Sequence, residues 1–464
     1  MSLFVIENAW VATVDGAGTE HQRGHIVVQD GLITAVGTGP APRETGPQGD
    51  RTGSGEEIRR VDGTGCLATP GLVNTHHHLY QWATRGRATD HTLFEWLVDL
   101  YPVWARIRPE HVAASNAAGL AWLALSGCTT AADHHYVYPA GQAADLVDVQ
   151  IEAAARIGLR LHLARGSMDR GVTEGGLPPD HIVEDIDAAL VATVDAIDRH
   201  HDPAPGSMLR IAVAPCSPFS VTTELLRESA ALARDKGVRL HTHLCETLDE
   251  ADYCQRVHGC DPVEYMDKAG WLDADVWLAH AVHLSADAQR RLGDAGTGVA
   301  HCPSSNARLG TGLADVPAML DAGIPVGLGV DGAASQEAGH LGEELRQALY
   351  TARQLKGPSA MDARTALRLG TIGGARVLGR DGEIGSLEPG KQADIALWDL
   401  TGLGHAGIAD PVAALVLGPA APLRLLTVAG KPVVEDGELR TADTASLAHG
   451  LTVASTNLRE AHRA

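Results

Sequence analysis

The sequence predicts an α/β protein built as a (β/α)8 barrel, with a small β domain contributed by both ends of the chain. Three observations lead there. Eight short apolar runs between residues 67 and 332 alternate with helical stretches, which is the text of repeated βα units. The chain on either side of this region reads instead as strands and turns. Finally, eleven of the 23 histidines fall inside the eight runs, mostly toward their C-terminal ends, where barrel enzymes assemble their sites.

Taken in order, residues 3–38 alternate apolar and polar positions, as in Phe4-Val5-Ile6 and His25-Ile26-Val27-Val28. Asp30-Gly31 between two such runs marks a tight hairpin. Residues 39–58 combine Pro, Gly and charge without a period and read as an exposed loop. The apolar runs follow at 67–78, 128–135, 159–167, 209–217, 238–246, 276–283, 297–306 and 324–332. Eight buried parallel strands with helices between them close into a barrel, an open doubly wound sheet being the rival. A helical segment near 361–378 precedes a return to strand-and-turn text at 390–400 and 423–439. Residues 1–66 and 381–464, the latter including a tail, are therefore expected to form the small β domain, and 67–380 the barrel.

Composition narrows the function. With 37 Lys+Arg against 58 Asp+Glu the formal charge is −21, which disfavours gripping nucleic-acid phosphates or anionic lipid. Hydrophobic residues at 44% and charged residues at 20% suit a large folded core. Seven scattered cysteines do not resemble a secreted disulfide framework. Neither a signal-peptide pattern nor a membrane-length apolar run is present. A soluble, cytoplasmic protein is expected.

His76 and His78 are separated by two, so on an extended strand both imidazoles project to one side and can chelate one ion, while His77 points elsewhere. His241 and His243 repeat that spacing, and spacing alone leaves open which of them reaches the ion. Glu246 lies three residues beyond His243, an offset that serves the site only if the strand ends and the chain curls over it. His280 and Asp331 each close an apolar run, and a buried Asp331 calls for a cation or charged donors. Gly327-Leu-Gly-Val-Asp-Gly332 matches G-x-G-x-x-G but lies at the last run, without a dinucleotide unit around it. G-x-S-x-G and H-E-x-x-H are missing, and Phe219 stands where P-C-x-x-C needs its second cysteine. Nitrogen and oxygen ligands remain.

PGLVNTHHH at 70–78, HTHLCET at 241–247, LAHAVHL at 278–284, HCPSSNARL at 301–309, GLGVDGAAS at 327–335 and GSLEPGKQADI at 385–395 together resemble the amidohydrolase superfamily. The likeness is to its purine, pterin and triazine aminohydrolases and spans nearly the whole chain. It implies a TIM-type (β/α)8 barrel with a small β-sandwich from both termini, and a homo-oligomer. It further implies one divalent ion per subunit, Zn(2+) first and Fe(2+) or another ion as alternatives, held by His76, His78, His243 and Asp331. Strand four reads Val213-Ala214-Pro215-Cys216-Ser217, without the bridging lysine of binuclear relatives. His280 then sits beside the metal-bound water, Glu246 shuttles protons, and Asp331 accepts the proton of the water. HHHLYQWATR at 76–85, LYPVWARI at 100–107, HLCETLDE at 243–250 and HCPSSNARL resemble the 8-oxoguanine deaminases, which implies urate and ammonia as products. Hydrolases of triazines, guanine or pterins share much of this text and stay as alternatives, with a non-catalytic barrel as a distant third. Candidates to read the heterocycle are Gln81, Trp96 or Trp104, Arg165, Ser167, Ser305, Asn306 and Arg308.

Overall fold

The computed structural model describes residues 3–42, 58–139 and 143–463. Each apolar run supplies one barrel strand: β1 (Leu72–Asn74), β2 (Cys128–His135), β3 (Arg160–Ser167), β4 (Leu209–Pro215), β5 (Leu240–Leu244), β6 (Val276–His280), β7 (Gly298–His301) and β8 (Val326–Leu328). Neighbours pair in parallel and in chain order, and β8 closes onto β1 through Leu328 and Asn74. The open sheet is thereby excluded. Every residue of β2 and β3 is buried, as strands enclosed by a ring of helices require. Several helices begin on a Thr or Ser cap and end on a left-handed glycine. At Thr223–Lys236, for example, Thr222 Oγ1 accepts from Leu225 N (3.1 Å), and Gly237 ends the helix at φ 66°.

The first run does not belong wholly to the barrel. Cys66–Pro70 pairs antiparallel with Ile395–Asp399 in the terminal sheet, and only Leu72–Asn74 enters the barrel. The chain crosses at Gly71, where a Cβ would lie 2.2 Å from Thr129 Cγ2, so only glycine allows the approach.

Both ends of the chain meet in one mixed sheet of nine strands. Leu3–Ala12, Glu20–Gln29 and Leu32–Thr38 form its N-terminal meander, and Asp30 (φ 51°) with Gly31 (φ 83°) makes the two-residue hairpin. Ile6, Ile26, Ile33, Leu397 and Leu425 bury a second apolar core against this sheet. Of the loop expected over 39–58, residues 43–57 lie outside the described residues, and the rest carries no strand or helix. The expected tail holds a helix, Thr444–Arg463, which packs on the helix Pro109–Leu125.

Candidate active site

Beyond Asn74 the chain stays tied to β8. Thr75 N donates to Leu328 O (2.8 Å), Asp331 N donates to His76 O (3.1 Å), and His77-His78 pair with Asp331-Gly332. This seam hangs His76, His78 and Asp331 over the C-terminal mouth of the barrel, beside His243 on β5 and His280 at the end of β6. The His76 and His78 rings lie 4.6 Å apart, and His76 lies 4.9 Å from His243. His78 Nε2 is 3.1 Å from His243 Nε2, while Asp331 Oδ1 is 3.2 Å from His76 Nε2 and 3.3 Å from His78 Nε2. His77 turns away, and its Nε2 accepts from Trp82 Nε1 (3.2 Å).

The outer hydrogen bonds assign the tautomers, because a backbone carbonyl only accepts. His78 Nδ1 donates to His134 O (2.5 Å) and His243 Nδ1 donates to Cys216 O (2.6 Å). His241 Nδ1 donates to Trp277 O (2.9 Å), so its Nε2 accepts the Nδ1 proton of His76 at 2.8 Å. Burial, then the neighbouring imidazoles, lower His243 to about 3, which keeps that ring neutral. In their neutral forms His76, His78 and His243 therefore each carry a lone pair on Nε2, and these nitrogens cluster with Asp331 Oδ1. Lone pairs 3.1 Å apart repel unless a cation lies between them. This convergence of imidazole and carboxylate donors is a His/Asp metal-binding site. His241 stands outside it as the partner that orients His76.

Four non-glycine residues at the barrel mouth adopt left-handed backbone: Cys245 (φ 56°), His280 (φ 72°), Ala281 (φ 48°) and Asp331 (φ 61°). Such conformations gather at functional sites. The turn at Cys245 ends β5 and carries Glu246 back over the mouth, to 3.7 Å from His280 Nε2. Glu250 Oε1 braces that turn by accepting from Cys245 N (2.7 Å). Burial, then the charge of Asp331, raise the Glu246 carboxyl well above its ordinary range. Ser305 Oγ (2.6 Å) and Ser335 Oγ (2.9 Å) both donate to Asp331 Oδ2, leaving Oδ1 for the site.

The cavity above the histidines is walled on one side by the helix Leu93–Trp104, which presents Leu93, Trp96, Leu97 and Tyr101. Their spacing of three and four places them on one face. Trp96 thus lines the cavity, whereas Trp104 lies behind it and donates to Thr84 Oγ1 (3.1 Å). Gln81 is buried against Gly332, a Cβ on which would come within 1.8 Å of Gln81 Oε1, and contrary to expectation it does not line the cavity. Two further expectations are corrected. Arg165 is clamped by Glu184 (2.6 and 2.9 Å), lies over the Tyr138 ring at 4.1 Å, and does not line the cavity. Asn306 does not line it either, and its Oδ1 accepts from His280 Nδ1 (3.0 Å). Arg308 is engaged by Glu337 (2.8 Å) and by the carbonyls of Arg87 and Ala88. The sequence reading did not single out His134, whose ligand nitrogen lies within 4.8 Å of those of His76, His78 and His243. Its place at the end of a strand was the available signal. Cys216, also on the wall, carried the same signal at the end of the fourth run, whereas Tyr136 lies just past the second run and carried none.

The sequence profile of the amidohydrolase family matches residues 67–436. The chain belongs to the amidohydrolase family. It is 45% identical to an 8-oxoguanine deaminase of Pseudomonas aeruginosa over 427 residues, covering 91% of this chain and 92% of that one. An isoxanthopterin deaminase from an unknown prokaryotic organism is 37% identical, covering 96% and 94% of the two chains. Among solved structures, a mutant of the atrazine chlorohydrolase of Arthrobacter aurescens, complexed with zinc and atraton, superposes with a TM-score of 0.91. It is 35% identical, covering 97% of this chain and all of that one. The amidohydrolase fold and hydrolase character read from the motifs agree with these matches.

Proposed function

We propose that this amidohydrolase is a metal-dependent deaminase of an amino-substituted heterocycle, and that the heterocycle is 8-oxoguanine, converted to urate and ammonia. The observation that carries the chemistry is the clustering of three Nε2 atoms with Asp331 Oδ1. That donor set fits one divalent ion, zinc first, with His76, His78, His243 and Asp331 as its ligands. When bound, the ion supplies the Lewis acidity that makes a water nucleophilic near neutral pH.

The chain's own groups do the rest. Asp331, steadied by Ser305 and Ser335, accepts the proton of the attacking water. His280, held by Asn306, orients that water through Nε2. Glu246 keeps its proton in its buried setting, delivers it to the ring nitrogen beside the attacked carbon, and then serves the departing amine. Trp96 covers the ring face. Gln81, Arg165 and Asn306 have no part in substrate contact in this reading.

The substrate assignment draws on the 45% identity to an 8-oxoguanine deaminase. A pterin or triazine substrate is the second reading, favoured by the isoxanthopterin deaminase and atrazine chlorohydrolase likenesses. Seven unpaired, buried cysteines fit the cytoplasm, and the family implies a homo-oligomer. Among the described residues no helix is long and apolar enough to cross a membrane.

The test is ammonia release from 8-oxoguanine, guanine, isoxanthopterin, cytosine and aminotriazines. A pocket that hydrogen-bonds the 8-oxo edge leaves buried groups unpaired with guanine, so kcat/KM should favour 8-oxoguanine by roughly 10⁴-fold or more. Equal rates on both purines would make this a general guanine deaminase. Turnover of a pterin or triazine alone would overturn the purine reading and leave the metal chemistry standing.

A further inference from the structure

The end of the barrel opposite the metal centre holds a second cluster of titratable groups. His162 on β3 and Arg210 on β4 are register partners, so their side chains leave the sheet on the same side. With His201 and Arg239 they line a cavity of about 210 Å³ whose wall contains no carboxylate.

Its cations are poorly matched. Arg239 Nη2 donates to the carbonyls of Ala274 (3.0 Å) and Val377 (2.9 Å), while its Nε is buried without a partner. The acids that act on it are also engaged elsewhere, Asp275 by Arg234 (3.1 Å) and Asp381 by Arg376 (3.6 Å). Arg210 and Arg380 share one carboxylate, Glu383, each at 2.8 Å. His162 is 2% exposed, and its Nε2 also lacks a partner. His201 Nδ1 accepts from Ile211 N (3.1 Å), which leaves the ring hydrogen on Nε2 as a donor. Burial lowers Arg239 to about 10, and burial together with Arg380, Arg210 and Arg239 holds His162 well below its ordinary value. The wall thus gathers two guanidinium groups and two imidazoles without a carboxylate, with Glu383 and Asp202 acting on Arg210 from outside it, although the chain as a whole carries −21. Arg239 is half-buried, but its Nε–H is shielded from water and unpaired, which is costly, and an anion in the cavity would relieve it.

We propose that this cavity is a binding site for a small oxyanion of phosphate size, with Arg239 and Arg210 supplying charge and His162 and His201 supplying hydrogen bonds. About 210 Å³ is below the usual size of a pocket for a drug-sized molecule and ample for one tetrahedral ion with water. Guanidinium groups suit such an ion by charge and by their fork of donors. Because the cavity lies at the strand starts, filling it leaves the catalytic mouth untouched.

The probe is inorganic phosphate, titrated calorimetrically into the metal-loaded, full-length protein at low ionic strength. The expected result is saturable binding of one phosphate per chain, weakened roughly tenfold or more by Arg239→Gln and by His162→Phe, with turnover unchanged in both. In the unsubstituted protein, phosphate should also raise the pKa of the His162 imidazole followed by NMR. If Arg239→Gln does not fold, His162→Phe and the NMR titration decide. An absence of saturable binding at millimolar phosphate overturns the proposal. So does binding of equal strength in both variants, which would put the phosphate at the metal or elsewhere.

Discussion

Replacing His241 by Phe probes the chain of tautomers on which the metal centre rests. Phenylalanine keeps a flat ring against Trp277, where the imidazole now stacks at 4.4 Å with planes 15° apart. It removes the Nε2 that accepts the His76 Nδ1 proton at 2.8 Å. His76, fully buried, then has two choices. It leaves that N–H unpaired, which costs about 1–3 kcal/mol, or it moves the proton to Nε2 and ceases to be a ligand. Losing the outer partner of a ligating histidine typically weakens metal binding roughly 10–100-fold. At about 1.4 kcal/mol per tenfold that range agrees with the cost of the unpaired donor. The assay is a chelator-competition titration of zinc, with turnover remeasured at saturating metal. The expected outcome is weaker zinc binding within that range and recovery of most turnover when zinc is in excess. Unchanged zinc affinity would refute the tautomer chain, and complete loss of zinc would make His241 itself a ligand.

Three further outcomes follow from the same geometry. His243→Ala should lose both metal and activity, as read by metal analysis, and stoichiometric zinc in that variant would remove His243 from the ligand set. Glu246→Gln should retain the metal but lose roughly 10²–10⁴-fold in turnover, since the amide keeps the shape of the acid without its proton, and near-normal turnover would exclude Glu246 from proton transfer. Glu250 is pushed up to about 8 from 4.5, chiefly by burial, so the folded chain holds a proton that the unfolded chain releases. Its contribution to stability is full below about 4.5 and is lost as the pH rises through about 8. Glu250→Gln mimics the protonated acid and should flatten the fall of the unfolding midpoint of the metal-loaded protein over that window, whereas an unaltered slope would show that the carboxyl ionises freely.

The eight βα units are legible in the sequence, because each strand buried on both faces must be a short apolar run, whereas the pairing of Leu328 with Asn74 is what closes them into a barrel and not an open sheet. The sequence by itself also determined that His76 and His78 could act together, since a period of two is a property of any extended strand. Local pattern could not choose between His241 and His243, which share that period. Their difference lies in what stands across from them: the Trp277 carbonyl and ring engage His241, and the Cys216 carbonyl turns His243 toward the site. Glu246 has the wrong parity for the site along β5, and only the left-handed turn at Cys245, braced by Glu250 five residues on, brings it over the mouth. Arg165 and Asn306 looked available because nothing nearby in the chain claims them, yet Glu184 and His280 do. The first apolar run was divided between two sheets by the packing of Gly71 on Thr129. Periodicity is written residue by residue and survives in the sequence, whereas the partner of a polar group is set by segments tens or hundreds of residues away, which only the closed barrel brings together.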